Sequence, residues 1–455
     1  RRVEDIFDVW FDSAVASWAT LGFPAEKDAL QRLWPADFIT EGQDQTRGWF
    51  YSQLGASTIA FGRAPYRSVL MHGFALDAEG RKMSKSLGNV VTPEEVIQSQ
   101  GVDVLRLYVL SQNAPWDDLR FNWDGVKNVA RAMNILWNVY RFPLPYMIMD
   151  GFLPESPSGR WDDRFIRRNF ATLTPEDKWI VSRVHSLARH VTADLSGCQL
   201  HRASRAVIAF ILEDLSRWYV QLIRERMWLE GEAPEKTRAY ETIYYALRTL
   251  LAVASPFIPH IADAMYRNLR LEGDPESVHM LDWFPGDDAL RDESLERAMD
   301  TVRSFDEAQA NARQAGKRKL RWPVRECVIV ADSKEIAEAI SSLNHICRER
   351  ANAKVVRTIC GTWDRIGWKA EPVMKALGPA FGKKAPIVRD LIISADGNAM
   401  KSAIDAGGAF SVVQGDERFE IVPGQVTFVQ QLPEGVFSAP MQGGAVDVDT
   451  GLDPG

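Results

Sequence analysis

The sequence predicts an α/β unit that handles a phosphate-bearing ligand, then an all-α helical bundle, then a small α+β region. Three observations carry this expectation. A strand–helix–strand pattern over residues 37–76 runs straight into a glycine-punctuated loop with two lysines, Lys82-Met83-Ser84-Lys85-Ser86. Over residues 171–290, apolar side chains recur every three or four positions. After residue 295 a helical stretch gives way to short alternating segments.

In the first segment, residues 1–90, Asp37-Phe38-Ile39-Thr40 reads as a strand that ends at Glu41-Gly42. Gln45 to Arg63 has helical character, and Ser68 to Leu76 reads as a second, buried strand entering the Asp77–Arg81 turn. Strand, helix, strand is a parallel unit, and ligands of such sheets gather beyond the carboxyl ends of the strands. Glu41-Gly42 and the lysine loop both fall at such ends. Gly80 and Gly88 bracket the loop and favour a mobile turn over a helix interior. Two ammonium groups there suit a phosphate chain that gains charge as it leaves. Glu41, Asp44 and Gln45 place two carboxylates and an amide at the other strand end, able to accept hydrogen bonds from an ammonium group or from ribose hydroxyls.

Residues 91–150 read as helical. Thr92-Pro93-Glu94-Glu95 is a helix start, with Thr as N-cap, Pro in the first turn and Glu at the third position; further helices follow from about Val102 and over Trp123–Tyr140. Residues 151–170 form a Pro/Gly/Ser-bearing linker. In the bundle, residues 171–290, Thr174-Pro175-Glu176-Asp177 is another start signal. Ile180, Val184, Leu187, Val191 and Leu195 mark one buried face, and long helices are expected over 200–229 and 237–254. Arg224 and Arg226 sit near a helix end, where surface salt bridges are expected. In the last region, residues 291–455, a helix of about twenty residues leads to Arg321-Trp322-Pro323. A strand over Glu326–Ala331, a helix over Lys334–Ala351 and a strand over Lys354–Ile359 follow, and 400–455 favours short strands.

Bulk properties exclude several classes. A hydrophobic content of 46% with 25% charged residues is that of an ordinary globular chain, and no apolar run reaches the length of a membrane span. Cysteines 198, 327, 347 and 360 are scattered with no Cys-x-x-Cys pair. That argues for a reducing compartment, and against a disulfide framework or a zinc knuckle in this segment. No other metal cluster is visible. A net charge of −7 gives no global nucleic-acid signal, so such a partner would need local patches. One exists: Arg313, Lys317, Arg318, Lys319, Arg321 and Arg325 occur with no acid among them and with Trp322 interleaved. It reads either as an RNA contact with a stacking aromatic or as a solvated helix end. The chain begins without Met and ends at Asp453-Pro454-Gly455 with no element closing, and is expected to be an internal piece of a longer protein.

The lysine pentapeptide resembles the signature loop of the class I aminoacyl-tRNA synthetases. Asp8-Val9-Trp10-Phe11-Asp12-Ser13 and Glu41-Gly42-Gln43-Asp44-Gln45-Thr46-Arg47-Gly48-Trp49-Phe50 resemble the isoleucine-specific branch of that family, and Lys319-Leu320-Arg321-Trp322-Pro323-Val324 its archaeal and eukaryotic-like form. The resemblance implies the second half of a Rossmann-like catalytic domain at 1–90, a stem-contact region at 91–150 and an anticodon-binding bundle at 171–290. It implies an isoleucine–tRNA ligase using ATP with Mg²⁺, acting on L-isoleucine and tRNA(Ile), cytoplasmic and monomeric. By the same resemblance Lys82, Ser84, Lys85 and Ser86 serve catalysis, Lys85 and Met83 touch ATP, and Glu41, Gly42, Asp44 and Gln45 hold the aminoacyl-adenylate. Trp10 and Trp49 would wall the side-chain pocket. The family's His-x-Gly-His motif and its editing insertion do not occur in this chain. Valyl or leucyl specificity, or a non-catalytic tRNA-binding paralogue, are the alternatives; a paralogue would be expected to lose the lysine loop or Glu41, and both are intact.

Overall fold

The computed structural model describes residues 4, 8–154, 164–231, 233–361, 363 and 365–451, and it divides into two compact units, Arg1–Asp292 and Glu293–Gly455. In the first unit, strands β1 (Ile39–Gly42) and β2 (Val69–His72) pair in parallel, with Glu41 opposite Met71 and Gly42 opposite His72. The crossover is the helix Trp49–Phe61, closed by Gly62 in the left-handed region at φ +70°. It starts later than Gln45 because Gln43–Arg47 coils into a 3₁₀ turn, and Gly48 at φ −135°, ψ −112° separates the two.

The strand expected over Ser68–Leu76 is broken at Gly73. A Cβ there would lie 2.3 Å from the Asp117 carbonyl oxygen, so only glycine lets the two backbones approach. The Phe74 N–H donates to the Asp118 carboxylate at 2.7 Å. The chain then leaves the first ladder for a second, in which β3 (Ala75–Leu76) pairs in parallel with β4 (Leu119–Arg120). Nor is β2 buried: Val69 and Met71 are 39% and 40% exposed, because the pair has only two strands.

Helices Pro93–Gln100, Val102–Gln112 and Trp123–Arg141 follow, the first capped by the Thr92 hydroxyl accepting from the Glu95 N–H. Of the linker expected over 151–170, residues 155–163 lie outside the described residues. The bundle consists of Pro175–Ser196, then Leu200–Ala209 running through a π-helical Phe210–Tyr219 into Val220–Met227, then Pro234–Ala254 and Pro259–Leu269. Ile180, Val184, Leu187 and Val191 are buried, and Leu195 is half-buried. Arg226 corrects the surface salt-bridge expectation. Its guanidinium is 12% exposed and sits 2.7 Å from Asp177, whose carboxylate is fully buried.

In the second unit, helix Glu293–Ala315 packs on a four-stranded sheet in the order Val436–Met441, Gly444–Asp449, Val324–Ala331, Ala353–Cys360. β5 (Val324–Ala331) and β6 (Ala353–Cys360) are parallel; β11 (Val436–Met441) and β12 (Gly444–Asp449) join antiparallel. The helix expected over Lys334–Ala351 is two, meeting at Leu343. Between β6 and β11 lies a smaller layer. There β7 (Gly367–Pro372) pairs with β10 (Val426–Gln431), and β8 (Phe410–Gln414) with β9 (Glu417–Ile421). Helices Met374–Phe381, Ala385–Ser394 and Gly397–Asp405 close over a core of Leu377, Val388, Ile392, Met400 and Ile421. Among the described residues, no helix is long and apolar enough to cross a membrane.

Candidate functional site

The lysine loop is fastened at its base. Asp77, at the end of β3, is 6% exposed. One carboxylate oxygen accepts from the Arg81 N–H at 2.7 Å; the other accepts from Arg81 Nε at 2.9 Å and Asn89 Nδ2 at 2.8 Å. Asn89 reaches back across the loop, its Oδ1 accepting from the Ser84 N–H at 2.9 Å. Gly80 and Gly88, at φ +81° and +64°, let the chain turn at either side. Ser84 caps a short 3₁₀ turn, Lys85–Leu87, and lies 3.1 Å from the Ser86 hydroxyl. The loop that glycine content marks as mobile is therefore anchored at both ends by one aspartate–asparagine clasp.

Lys82 and Lys85 are exposed, Met83 is half-buried, and neither lysine forms an ion pair among the described residues. Two exposed ammonium groups without a carboxylate partner among the described residues make the clasped loop locally positive. The sequence places Asp77 and Asn89 at the two ends of the loop but gives no sign that they hold each other. What it does show is the Asp-x-x-Gly-Arg turn and the Gly-Asn step, both favoured turn chemistry.

The clasp should be pH-sensitive in one direction. Asn89's hydrogen bond, followed by those from Arg81 and its charge, holds the Asp77 carboxyl at about 2 instead of its ordinary 3.8. Because the folded value is the lower one, the stabilisation is present above about pH 4 and is lost as pH falls through about 2. Amide exchange of Ser84 is the readout. At neutral pH Asp77→Asn should speed it and an Arg81→Ala change should do less; equal protection in wild type and Asp77→Asn would remove the clasp from the account.

Glu41 is exposed at the end of β1, and Gly42 beside it is buried. A Cβ at Gly42 would meet the Asp44 carboxylate at 2.6 Å and the His72 ring at 3.6 Å, so this glycine keeps the strand end open. The Gln45 amide is already engaged, donating to Asp44 at 2.8 Å and accepting from the Trp49 N–H at 2.9 Å. It caps the following helix and orients Asp44. Asp118 accepts from the Phe74 N–H and from Gln43 Nε2 at 3.3 Å, bridging the two strand ends.

Trp10 and Trp49 come from separate blocks, and the fold brings those blocks together. Helix Val9–Ala14 packs on helix Trp49–Phe61, and the Trp49 indole N–H donates to the Ser13 carbonyl at 2.9 Å. The tip of the Trp10 ring would lie 3.6 Å from a Cβ at Gly48. Trp10 is 43% exposed. A cleft of about 750 Å³ opens elsewhere, lined by Phe38, Leu70, His72, Phe74 and Val109 among others and by neither tryptophan.

In the second unit the basic stretch divides. Arg313 corrects the expectation of an RNA contact: it is 1% exposed, because its position continues the buried stripe Val302, Phe305 and Ala312 of its helix. Its guanidinium donates to five backbone carbonyls, those of Lys319, Leu320, Trp322, Ala351 and Asn352. Arg325 belongs to β5 and is 3.8 Å from Asp449 on β12. Lys317, Lys319 and Arg321 are exposed, and Arg318 lies over the Trp322 ring at 4.9 Å.

Residues 1–122 match the family described as tRNA synthetases class I (I, L, M and V), and residues 177–329 match the anticodon-binding domain of tRNA ligase. The chain is 62% identical over 471 residues to the isoleucine–tRNA ligase of Methanoregula boonei, with all of this chain and 44% of that protein covered. It is 63% identical over 455 residues to that of Methanoculleus marisnigri, covering 100% of this chain and 43% of the relative. It is 62% identical over 453 residues to that of Methanospirillum hungatei, covering 99% and 43%. The chain thus spans less than half the length of these curated relatives.

Proposed function

The chain belongs to the class I aminoacyl-tRNA synthetases, in the isoleucine–tRNA ligase group, and on that premise we propose that it supplies the phosphate-handling loop and the tRNA-binding region of an isoleucine–tRNA ligase. The observation that carries the proposal is the placement of two chemistries at strand ends of the first unit. Glu41 and Asp44 stand at the end of β1, and the clasped loop with Lys82 and Lys85 follows β3. One end suits the ammonium of an amino acid and the ribose of a nucleotide; the other suits a polyphosphate.

In this reading the isoleucine carboxylate attacks the α-phosphate of ATP, forming isoleucyl-adenylate as the bond to pyrophosphate breaks. A terminal ribose hydroxyl of tRNA(Ile) then attacks the isoleucyl carbonyl and AMP leaves. Glu41 holds the amino acid's ammonium group. Lys85, aided by Lys82 and the Ser84 and Ser86 hydroxyls, neutralises charge as it builds on the departing phosphates. Met83 lies against the nucleotide. Mg²⁺ would accompany ATP as part of the nucleotide substrate and offset phosphate charge. Trp10 and Trp49 form rigid walls for a β-branched side chain. Isoleucine and valine differ by one methylene, worth about 1–3 kcal/mol, and this enzyme family is itself the usual illustration of that limit. Lys317, Arg318, Lys319, Arg321 and Arg325 belong to the tRNA-binding part of the proposal. A cytoplasmic setting belongs to the same proposal.

The test has two arms. In a protein of the relatives' full length carrying this sequence, pyrophosphate exchange should saturate with isoleucine at lower concentration than with valine or leucine. Truncating Trp10 or Trp49 should raise the KM for isoleucine more than it weakens tRNA binding. A preference for valine or leucine would overturn the specificity. The present chain alone should bind tRNA(Ile) weakly, with affinity falling steeply with salt as phosphate contacts release counterions. Salt-independent binding would overturn the RNA arm.

A further inference from the structure

We propose that the loop Gly316–Pro323 of the second unit is a site for an unpaired RNA nucleotide, with Trp322 as its stacking platform, Lys317, Lys319 and Arg321 as its phosphate contacts, and buried Arg313 as the residue that gives the loop its shape. The proposal rests on the RNA-binding reading above and deepens it, by naming which face of the chain takes which part of the nucleic acid.

The shape comes first. Three carbonyls of the loop, those of Lys319, Leu320 and Trp322, point inward at one guanidinium nitrogen of Arg313, at 3.0–3.2 Å. The other terminal nitrogen donates to Ala351 and Asn352, at the turn before β6. Asn352 itself is left-handed, at φ +43°, and its amide donates to Leu320 as well. With the loop's carbonyls turned in, its side chains are turned out. Leu320 and Trp322 are 53% and 49% exposed, and Lys317, Lys319 and Arg321 are exposed.

Two features do not fit a merely solvated helix end. Lys317 takes φ +52° at the end of helix Glu293–Ala315, a place where glycine is the usual residue. A side chain in that conformation persists only where its surroundings over-determine it, and such residues gather at functional sites. The Arg318 N–H donating to the Arg313 carbonyl at 2.8 Å helps to impose it. The second feature is charge. Arg313 is held by carbonyls alone, and no carboxylate among the described residues pairs with it or with Lys317, Arg318, Lys319 or Arg321. Burial pushes the Arg313 pKa down, with Cys327 opposing and Arg318 adding to the shift. In a chain of net charge −7, the loop is a concentrated positive patch around an exposed indole.

The chemistry that matches is specific. Exposed ammonium and guanidinium groups take phosphates. Arg318 is stacked on the indole at 4.9 Å, and such an Arg–Trp pair adds cation–π character to base stacking. A base can stack on Trp322 only if it is unpaired and splayed from its neighbours, which selects a loop or single strand over a duplex.

The experiment compares this whole chain binding a short fluorescein-labelled single-stranded RNA, a blunt RNA duplex of the same length, and tRNA(Ile). Trp322→Ala should weaken single-strand binding about tenfold or more and leave duplex binding nearly unchanged, while Trp322→Phe keeps most of the affinity. Lys319→Ala and Arg321→Ala should each reduce the salt slope by about one. Arg313→Met should reproduce the Trp322→Ala loss of single-strand preference and speed tryptic cleavage within Lys317–Arg321. If Trp322→Ala lowers single-strand and duplex binding equally, or neither, the stacking site is refuted. Undiminished tRNA(Ile) binding by Trp322→Ala would refute this site while sparing the RNA reading. Single-strand binding with no affinity for tRNA(Ile) would do the reverse.

Discussion

Lys85→Ala, made in a protein of the relatives' full length, is expected to slow isoleucine-dependent ATP–pyrophosphate exchange about 10²-fold or more, the scale on which one preorganised charge stabiliser acts. Lys85 opens the 3₁₀ turn of a loop whose base is tied by Asp77 and Asn89. It is exposed and joins no ion pair among the described residues, so its removal leaves no orphaned partner and should not perturb folding. The loss should therefore fall on the step in which phosphate charge develops, and binding of isoleucine in the ground state should change little. Lys85→Arg should recover only part of the rate, since a broad guanidinium is a poor substitute for a compact ammonium. An exchange rate unchanged by Lys85→Ala would remove the loop from catalysis.

The candidate site was legible where a motif fixed the residue type and the strand ends fixed its place in the fold. Glu41 and the lysine loop were both assigned to strand ends, and β1, β2 and β3 put them there. What the sequence could not convey was direction. Arg313 counts as one more positive charge in a linear reading, but Met299, Val302, Phe305 and Ala312 define a buried stripe, and Arg313 lies beside it. Reading that helix by face, not by charge run, would have separated the buried arginine from the exposed lysines that follow. Gly73 is a second case. An apolar run crossing a glycine reads as one strand, yet the close approach of the Asp117 carbonyl divides it into two ladders. The helix Met374–Phe381 carries Pro379 inside it and is followed by Gly382, a combination that local propensity reads as loop; burial of Leu377 against Val388 and Ile392 overrides it.

Asp177→Ala is expected to destabilise the first unit by about 3 kcal/mol, the lower end of the scale for removing one partner of a buried ion pair. Thr174 caps the helix Pro175–Ser196, accepting from the Asp177 N–H at 3.4 Å, and Asp177 turns its side chain away from the solvent into the bundle. There the carboxylate takes a two-pronged contact from Arg226, at 3.0 and 2.7 Å, and a third hydrogen bond from the Tyr219 hydroxyl at 2.6 Å. Arg226 in turn donates to the Glu235 carbonyl from two nitrogens, at 3.2 and 2.8 Å, so one cluster ties together three of the bundle's helical segments. Burial first, and then the Asp177 charge, push the Tyr219 phenol far above its ordinary value; it stays a neutral donor at any physiological pH. Removing the carboxylate therefore strands the phenol and leaves the guanidinium only the Glu176 carboxylate, at 3.3 Å. Arg226→Met should also destabilise, since Asp177 is then buried without its cation. The double variant Asp177→Ala, Arg226→Met should be less damaged than the sum of the two, because each single change already breaks the same contact. Urea unfolding of the chain, followed through its helical signal, supplies the cycle. A single-variant cost under about 1 kcal/mol, with no coupling between the two changes, would be the behaviour of an exposed surface pair. It would mean that solvent reaches Asp177 and Arg226, and that the bundle derives its cohesion from its apolar faces alone.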